Sequence, residues 1–229
     1  MNKLKPIYFP NHEVQTIQLA NIALVICVIV LFMIDQFSGV HMAALVGTSM
    51  LALTLIPARL LGLKWWSPSI DADLLKVSYQ GKWLGIWTCI WFMLYASLAL
   101  VNYYGVPFTP MHFVQRETVL LTASLVIFVV LLSLSNKWSY AHVKWWKQIN
   151  MLIWLVVPFL FTHFLLAANI FGAIGYFWAP WTLLVLMALA GVSALFRAKR
   201  DYFAGMRLWL LVLGSLVSAL VVFLYPAIL

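Results

Sequence analysis

Residues 148–196, QINMLIWLVVPFLFTHFLLAANIFGAIGYFWAPWTLLVLMALAGVSALF, hold no Asp, Glu, Lys or Arg over 49 positions. A helix rises about 1.5 Å per residue and the hydrocarbon of a bilayer is about 30 Å thick, so about 20 apolar residues cross it once. The stretch is too long for one crossing and long enough for two. At its middle, Phe171-Gly172-Ala173-Ile174-Gly175-Tyr176-Phe177-Trp178-Ala179-Pro180 supplies the glycines and proline of a turn. Two helices are predicted, over 149–171 and 178–197.

Outward from this pair the same pattern recurs, with apolar spans at 17–36, 41–63, 83–104, 114–135 and 207–226. The whole chain of 229 residues is 65% hydrophobic and 9% charged, with a mean hydropathy of +1.00. Soluble domains are about 45–50% apolar and about 25% charged, so water is not the main solvent of this chain. The expected fold class is all-α, a polytopic membrane helix bundle of about seven transmembrane helices. The first span follows a short charged head as a secretory signal does, but it is longer than a signal's apolar core and ends at Asp35 without a small-residue cleavage site. It is read as an uncleaved first helix.

A net charge of +8 would point to nucleic acid if the cations formed one face. They lie instead in the connections between spans, and no nucleic-acid partner is expected. Lys3, Lys5, Arg59, Lys64, Lys76, Lys82, Lys137, Lys144, Lys147, Arg197, Lys199, Arg200 and Arg207 fall on one side of a seven-span topology, and only Arg116 falls on the other. By the positive-inside rule the first side is cytoplasmic. The N-terminus is then inside and the C-terminus periplasmic or extracellular. Trp65, Trp66, Trp83, Trp145, Trp146, Trp178 and Trp181 stand near span ends, where amphipathic rings favour the headgroup region. Cys27 and Cys89 both lie in apolar segments and read as small buried hydrophobes rather than a disulfide or a metal pair.

Ionisable residues inside a membrane are costly and mark function. The spans hold almost none, with Asp35 and Arg59 at span ends, which speaks against a proton-coupled transporter or an ion pump. Haem ligation needs only neutral imidazoles on facing helices. Of five histidines, His12 and His142 lie in polar segments, His41 and His112 open spans, and His163 alone stands inside an apolar run. The polar residues offered to a solute path are Thr88, Ser97, Asn102, Thr122, Ser124, Thr162 and Asn169.

The segment Lys82-Trp83-Leu84-Gly85-Ile86-Trp87-Thr88-Cys89-Ile90-Trp91-Phe92-Met93-Leu94-Tyr95 resembles the third helix of the ferric reductase-like transmembrane family, which reads Arg-x-Leu-Gly-Leu-x-x-x-x-Trp-x-x-Leu-His. Trp146-Lys147-Gln148-Ile149-Asn150 is similar to the Trp-x-x-Leu-His that opens the family's fifth helix, and His163 and Arg116 also fit its pattern. Within the family, the haem-binding membrane subunits of periplasmic methionine sulfoxide reductase systems are the nearest in motif. The resemblance implies a bacterial inner membrane location and a six-helix core within residues 17–200. Residues 1–16 then form a cytoplasmic segment and 201–229 an added helix. It further implies haem b, transmembrane electron transfer, and a redox partner protein. No dinucleotide-binding glycine motif is present, so quinol or a separate flavoprotein would supply the electrons.

Two family histidine positions hold Tyr95 and Asn150, leaving His163 and Tyr95 as the ligand candidates for one outer haem iron. Tyr95 lies thirteen residues past Lys82, and His163 thirteen past Asn150, which puts both about 20 Å into the membrane. At one level on neighbouring helices, they either flank a haem or hydrogen-bond directly to each other in a haem-free scaffold. Trp83, Trp87, Trp91 and Tyr95 recur at every fourth position, as a packing face or as an aromatic path toward that site. Pro158 is expected to kink the helix that carries His163.

Overall fold

The computed structural model describes residues 11–60, 81–104, 116–138, 148–171, 178–197 and 202–224. The described residues form helices α1 (Asn11–Ile34), α2 (Gln36–Leu55), α3 (Pro57–Leu60), α4 (Gly81–Tyr104), α5 (Arg116–Trp138), α6 (Ile153–Phe171), α7 (Trp178–Arg197) and α8 (Tyr202–Leu224), with no strand among them. Six helices are long and apolar enough to cross a membrane, and α5 contributes a further apolar stretch, Thr118–Leu134. Leucine, isoleucine and phenylalanine side chains stay exposed on the outward faces of α1, α7 and α8. In water such a surface would aggregate, whereas in lipid it is ordinary.

The first turn is tighter than the spans 17–36 and 41–63 suggest. α1 ends at Ile34 and α2 begins at Gln36, with Asp35 alone between them in an extended conformation. Asp35 caps α2, accepting from the Phe37 amide at 3.2 Å and from the Ser38 hydroxyl. A carboxylate at the N-cap satisfies amides that the helix itself leaves open. These bonds, the Ser38 hydroxyl first, hold the Asp35 carboxyl below its ordinary value of 3.8. The return is close enough that a β-carbon on Gly39 would lie 2.5 Å from the Phe32 backbone. At its other end α2 stops at Leu55, because Pro57 has no amide to continue the ladder and opens the short α3 instead.

α2 and α4 make the most extensive contact in the bundle. The face of α2 turned inward includes Gly39, Ala43, Ala44, Gly47, Thr48 and Ala52. Small residues at helical spacing let two membrane helices approach closely, which replaces the hydrophobic drive that lipid removes. The Phe92 ring of α4 lies 3.4 Å from where a β-carbon on Gly47 would stand. α6 is the second hub, packed against α5, α7 and α8. Its entry is wound with bonds of the three-residue type, Met151 to Gln148 and Leu152 to Ile149, before regular helix begins at Ile153.

The last helix is seated on α6 by one crossing. A β-carbon on Gly214 of α8 would meet the Pro158 ring at 2.5 Å, and the Ser218 hydroxyl donates to the Pro158 carbonyl at 3.4 Å. Pro158 has no amide for the carbonyl four residues earlier, and its ring fills the notch that Gly214 leaves open. α6 nevertheless runs on through Pro158 to Phe171.

Candidate functional site

Among the largest fully buried side chains are Trp91, Phe92 and Tyr95 of α4 and Trp154, Leu160 and Phe164 of α6. The Tyr95 hydroxyl and His163 Nε2 lie 2.8 Å apart, with Tyr95 fully buried and His163 4% exposed. The two rings meet edge to face, 5.7 Å between centroids and 73° between planes. Phe164 leans on both rings at 5.3 Å, and Phe92 links Phe164 to Phe128 of α5. A phenol and an imidazole buried in hydrocarbon satisfy each other, where either one alone would carry a desolvation cost. The common depth read from Lys82 and Asn150 brings these two residues to one level, and the geometry is a direct hydrogen bond.

Two groups bound on opposite faces of a haem would have the ring and its iron between them, which sets them further apart than a direct hydrogen bond. The Tyr95 and His163 atoms are at hydrogen-bond distance, and Phe164 closes the same space. As arranged, the pair does not fit a haem between its two members. Asn150, at the other position where a histidine is expected from the resemblance, is exposed at the entry of α6. Among the described residues no three His, Cys, Asp or Glu side chains converge as a metal site would require.

The aromatic face of α4 runs inward from a half-exposed Trp83 through buried Trp87 and Trp91 to Tyr95. Trp91 donates its indole N–H to the Asn21 side-chain carbonyl at 2.9 Å, fastening α1 to α4. Asn21 is buried and gives its own amide to the Ile17 carbonyl. The hydroxyls of Thr88, Ser97 and Ser124 turn back onto carbonyls of their own helices at 2.7–2.9 Å, and Thr88 also meets Thr54 of α2 at 3.4 Å. These groups are committed to backbone rather than presented to a solute.

Two residues carry structure that the sequence did not announce. Asn21 is one, hidden in the first apolar run. Arg207 is the other, read from sequence as a loop cation at the edge of the last span. It sits five residues inside α8, 1% exposed, donating to the Ser193 hydroxyl at 3.2 Å and lying 5.4 Å over the Trp154 ring. The signal available was only its spacing from Tyr202: an early helix start would have placed it one turn inside. Of the other named residues, His41 stacks on Phe37 within α2, while Trp178 and Trp181 stand exposed at the start of α7. His112, His142, Trp65, Trp66, Trp145 and Trp146 lie outside the described residues.

The fold and its centre define a class: a helical bundle with the length and composition of an integral membrane protein, closed around a buried tyrosine–histidine pair. In comparison with known proteins, no family model matches the chain, and no curated protein or solved structure shows significant similarity to it.

Proposed function

We propose that this chain is a haem-free membrane anchor or assembly subunit with a ferric reductase-like core, in which the Tyr95–His163 hydrogen bond occupies the place of the outer haem. The observation that carries this reading is the 2.8 Å contact inside a packed aromatic core. The bundle lies in a bacterial inner membrane, N-terminus inside, and serves a redox partner as its attachment to the bilayer. A reduced-minus-oxidised spectrum of the detergent-purified protein, expressed with haem supplementation, is expected to be free of b-type bands. Such bands in the purified protein would overturn the proposal.

A second reading is favoured by the burial of His163 deep in the bundle. In it, His163 is the one protein ligand of a single haem b, the chain passes electrons across the membrane, and α4 and α6 part to admit the group. A protein ligand on one side only is an established mode of haem binding. It predicts b-type bands that disappear in a His163→Ala variant and persist in Tyr95→Phe, which separates it from the first reading.

A further inference from the structure

A latch between α4 and α6 asks only for a donor and an acceptor, yet the pair at Tyr95 and His163 is also the inner end of a row of indoles. Trp83, Trp87, Trp91 and Tyr95 follow one another at every fourth residue of α4, so adjacent members are neighbours on the helix surface, about 5–6 Å apart at their β-carbons. The row starts at Trp83, the first residue of the span and half-exposed, and passes through Trp87 and Trp91, both buried, to Tyr95. Its whole rise is about 18 Å, taken in three short steps. Indoles and phenols give up a single electron more readily than aliphatic or amide groups do.

What sets the last member apart is where its proton can go. A phenol that has lost an electron is a strong acid, and the Tyr95 hydroxyl lies 2.8 Å from His163 Nε2, an imidazole nitrogen able to take the proton. Trp91 instead donates its N–H to the Asn21 side-chain carbonyl at 2.9 Å, an acceptor too weakly basic to remove it. An electron vacancy on Trp91 therefore stays mobile, whereas one on Tyr95 is trapped when the proton crosses. Electron loss leaves one positive charge in the core either way, and an imidazolium holds it at lower energy than a phenol radical cation. The Phe164 ring, 5.3 Å from the His163 ring, is within the distance of about 6 Å at which aromatic rings attract a cation.

We infer that Tyr95 and His163 form a proton-coupled redox site, fed through Trp83, Trp87 and Trp91, that quenches one-electron oxidants of the peroxyl-radical class formed in the lipid beside Trp83. The electron leaves Tyr95 along the indoles, the phenolic O–H bond breaks, and its proton moves to His163 Nε2, leaving a neutral tyrosyl radical beside an imidazolium. The peroxyl radical gains that electron, and a proton from interfacial water, and becomes a hydroperoxide. This role rests on the haem-free reading, in which the two side chains touch directly.

The test uses the full chain in lipid vesicles, its absorption spectrum recorded first. Oxidation is then started with peroxyl radicals from a lipid-soluble azo initiator or with tris(bipyridine)ruthenium(III) made by a laser flash. The chain has nine tyrosines, so the Tyr95 signal is isolated by subtracting the electron paramagnetic resonance spectrum of Tyr95→Phe. A neutral tyrosyl signal found in the wild type alone is expected with both oxidants. His163→Gln keeps a group that accepts the hydrogen bond but cannot take the proton. It is expected to retain the melting temperature while slowing formation of the Tyr95 radical about a hundredfold, the lower end of what a positioned proton acceptor contributes. Should that variant fold poorly, a slower wild-type rate in deuterium oxide is the expected sign of proton transfer, and an unchanged rate overturns the inference. Trp83→Phe, placed at the half-exposed end of the row, is expected to slow the radical's formation severalfold. Identical spectra of the wild type and Tyr95→Phe, or a rate unchanged in a folded His163→Gln or in Trp83→Phe, likewise overturn it. Bands of b type in the first spectrum would overturn the haem-free reading and this role together, whereas a band-free protein without a Tyr95 radical would overturn this role alone.

Discussion

At the scale of single residues, the pair Tyr95 and His163 behaves as a latch between α4 and α6. Hydrogen bonds between membrane helices are worth about 0.6 kcal/mol on average and up to about 1.7 kcal/mol. Burial and the absence of competing water place this one toward the upper end. Tyr95→Phe is therefore expected to cost about 1–2 kcal/mol in unfolding measured in detergent. His163→Leu should cost a similar amount, and the double variant should fall short of the sum by about 1 kcal/mol. Strict additivity in that cycle would show that the contact contributes nothing.

The same scale shows which residues were legible in sequence. Tyr95 and His163 could be set at one depth because each lies thirteen residues from a polar edge, a count that needs only helical rise. Asn21 could not be paired with Trp91 in this way, since the two are 70 positions apart and an asparagine in an apolar run does not indicate which helix it will meet. Arg207 was misplaced for a related reason. Charges in such a chain ordinarily mark the ends of spans, and only the start of α8 at Tyr202, with Trp154 and Ser193 waiting across the interface, reveals a cation drawn inside.

Among elements, glycines decide how near the helices come. Gly39→Ala would push a methyl group into the backbone of α1 at Phe32, and Gly214→Ala would push one into the Pro158 ring. Overpacking of this kind costs about 1–3 kcal/mol, and both variants are expected to lose that much in thermal or denaturant unfolding. Gly85→Ala, where nothing lies within 4 Å, is the matched control and should be tolerated. Equal stability of all three would contradict the crossings described here.

The hairpin of α1 and α2 also responds to acid. The Asp35 carboxyl is held below 3.8 by the Ser38 hydroxyl and the amides of Ser38 and Phe37. Its capping bonds are thus fully present above that ordinary value and are lost as pH falls through the lowered one. Hydrogen exchange at the Phe37 amide should accelerate only in that acid window, relative to the trend of its neighbours, and Asp35→Asn should remove the step. Helix boundaries here were less legible than helix number. Hydropathy marks the middle of each run well, but the single-residue turn at Asp35 depends on cap chemistry, and the early stop of α2 depends on the missing amide of Pro57.

For the whole molecule, the distribution of Lys and Arg gives an orientation that a reporter can read. Alkaline phosphatase joined at Gly175 or after Leu229 is expected to be active, and joined at Lys199 inactive. The reverse pattern would invert the topology. That the chain is a bundle of six to seven apolar helices was readable from the apolar runs alone, because membrane thickness sets their length independently of what they pack against. How they pack was not, since in lipid every face is apolar and partners are chosen by small residues and a few polar contacts.

The crossing of α8 over Pro158 has a consequence for the order of assembly. Synthesis delivers α6 to the membrane before α8 exists, so for that interval the proline-bearing flank of α6 faces lipid without Gly214 and Ser218 against it. The bundle therefore passes through a stage in which its central helix is laid down but not yet braced. Only the emergence of α8 ends that stage.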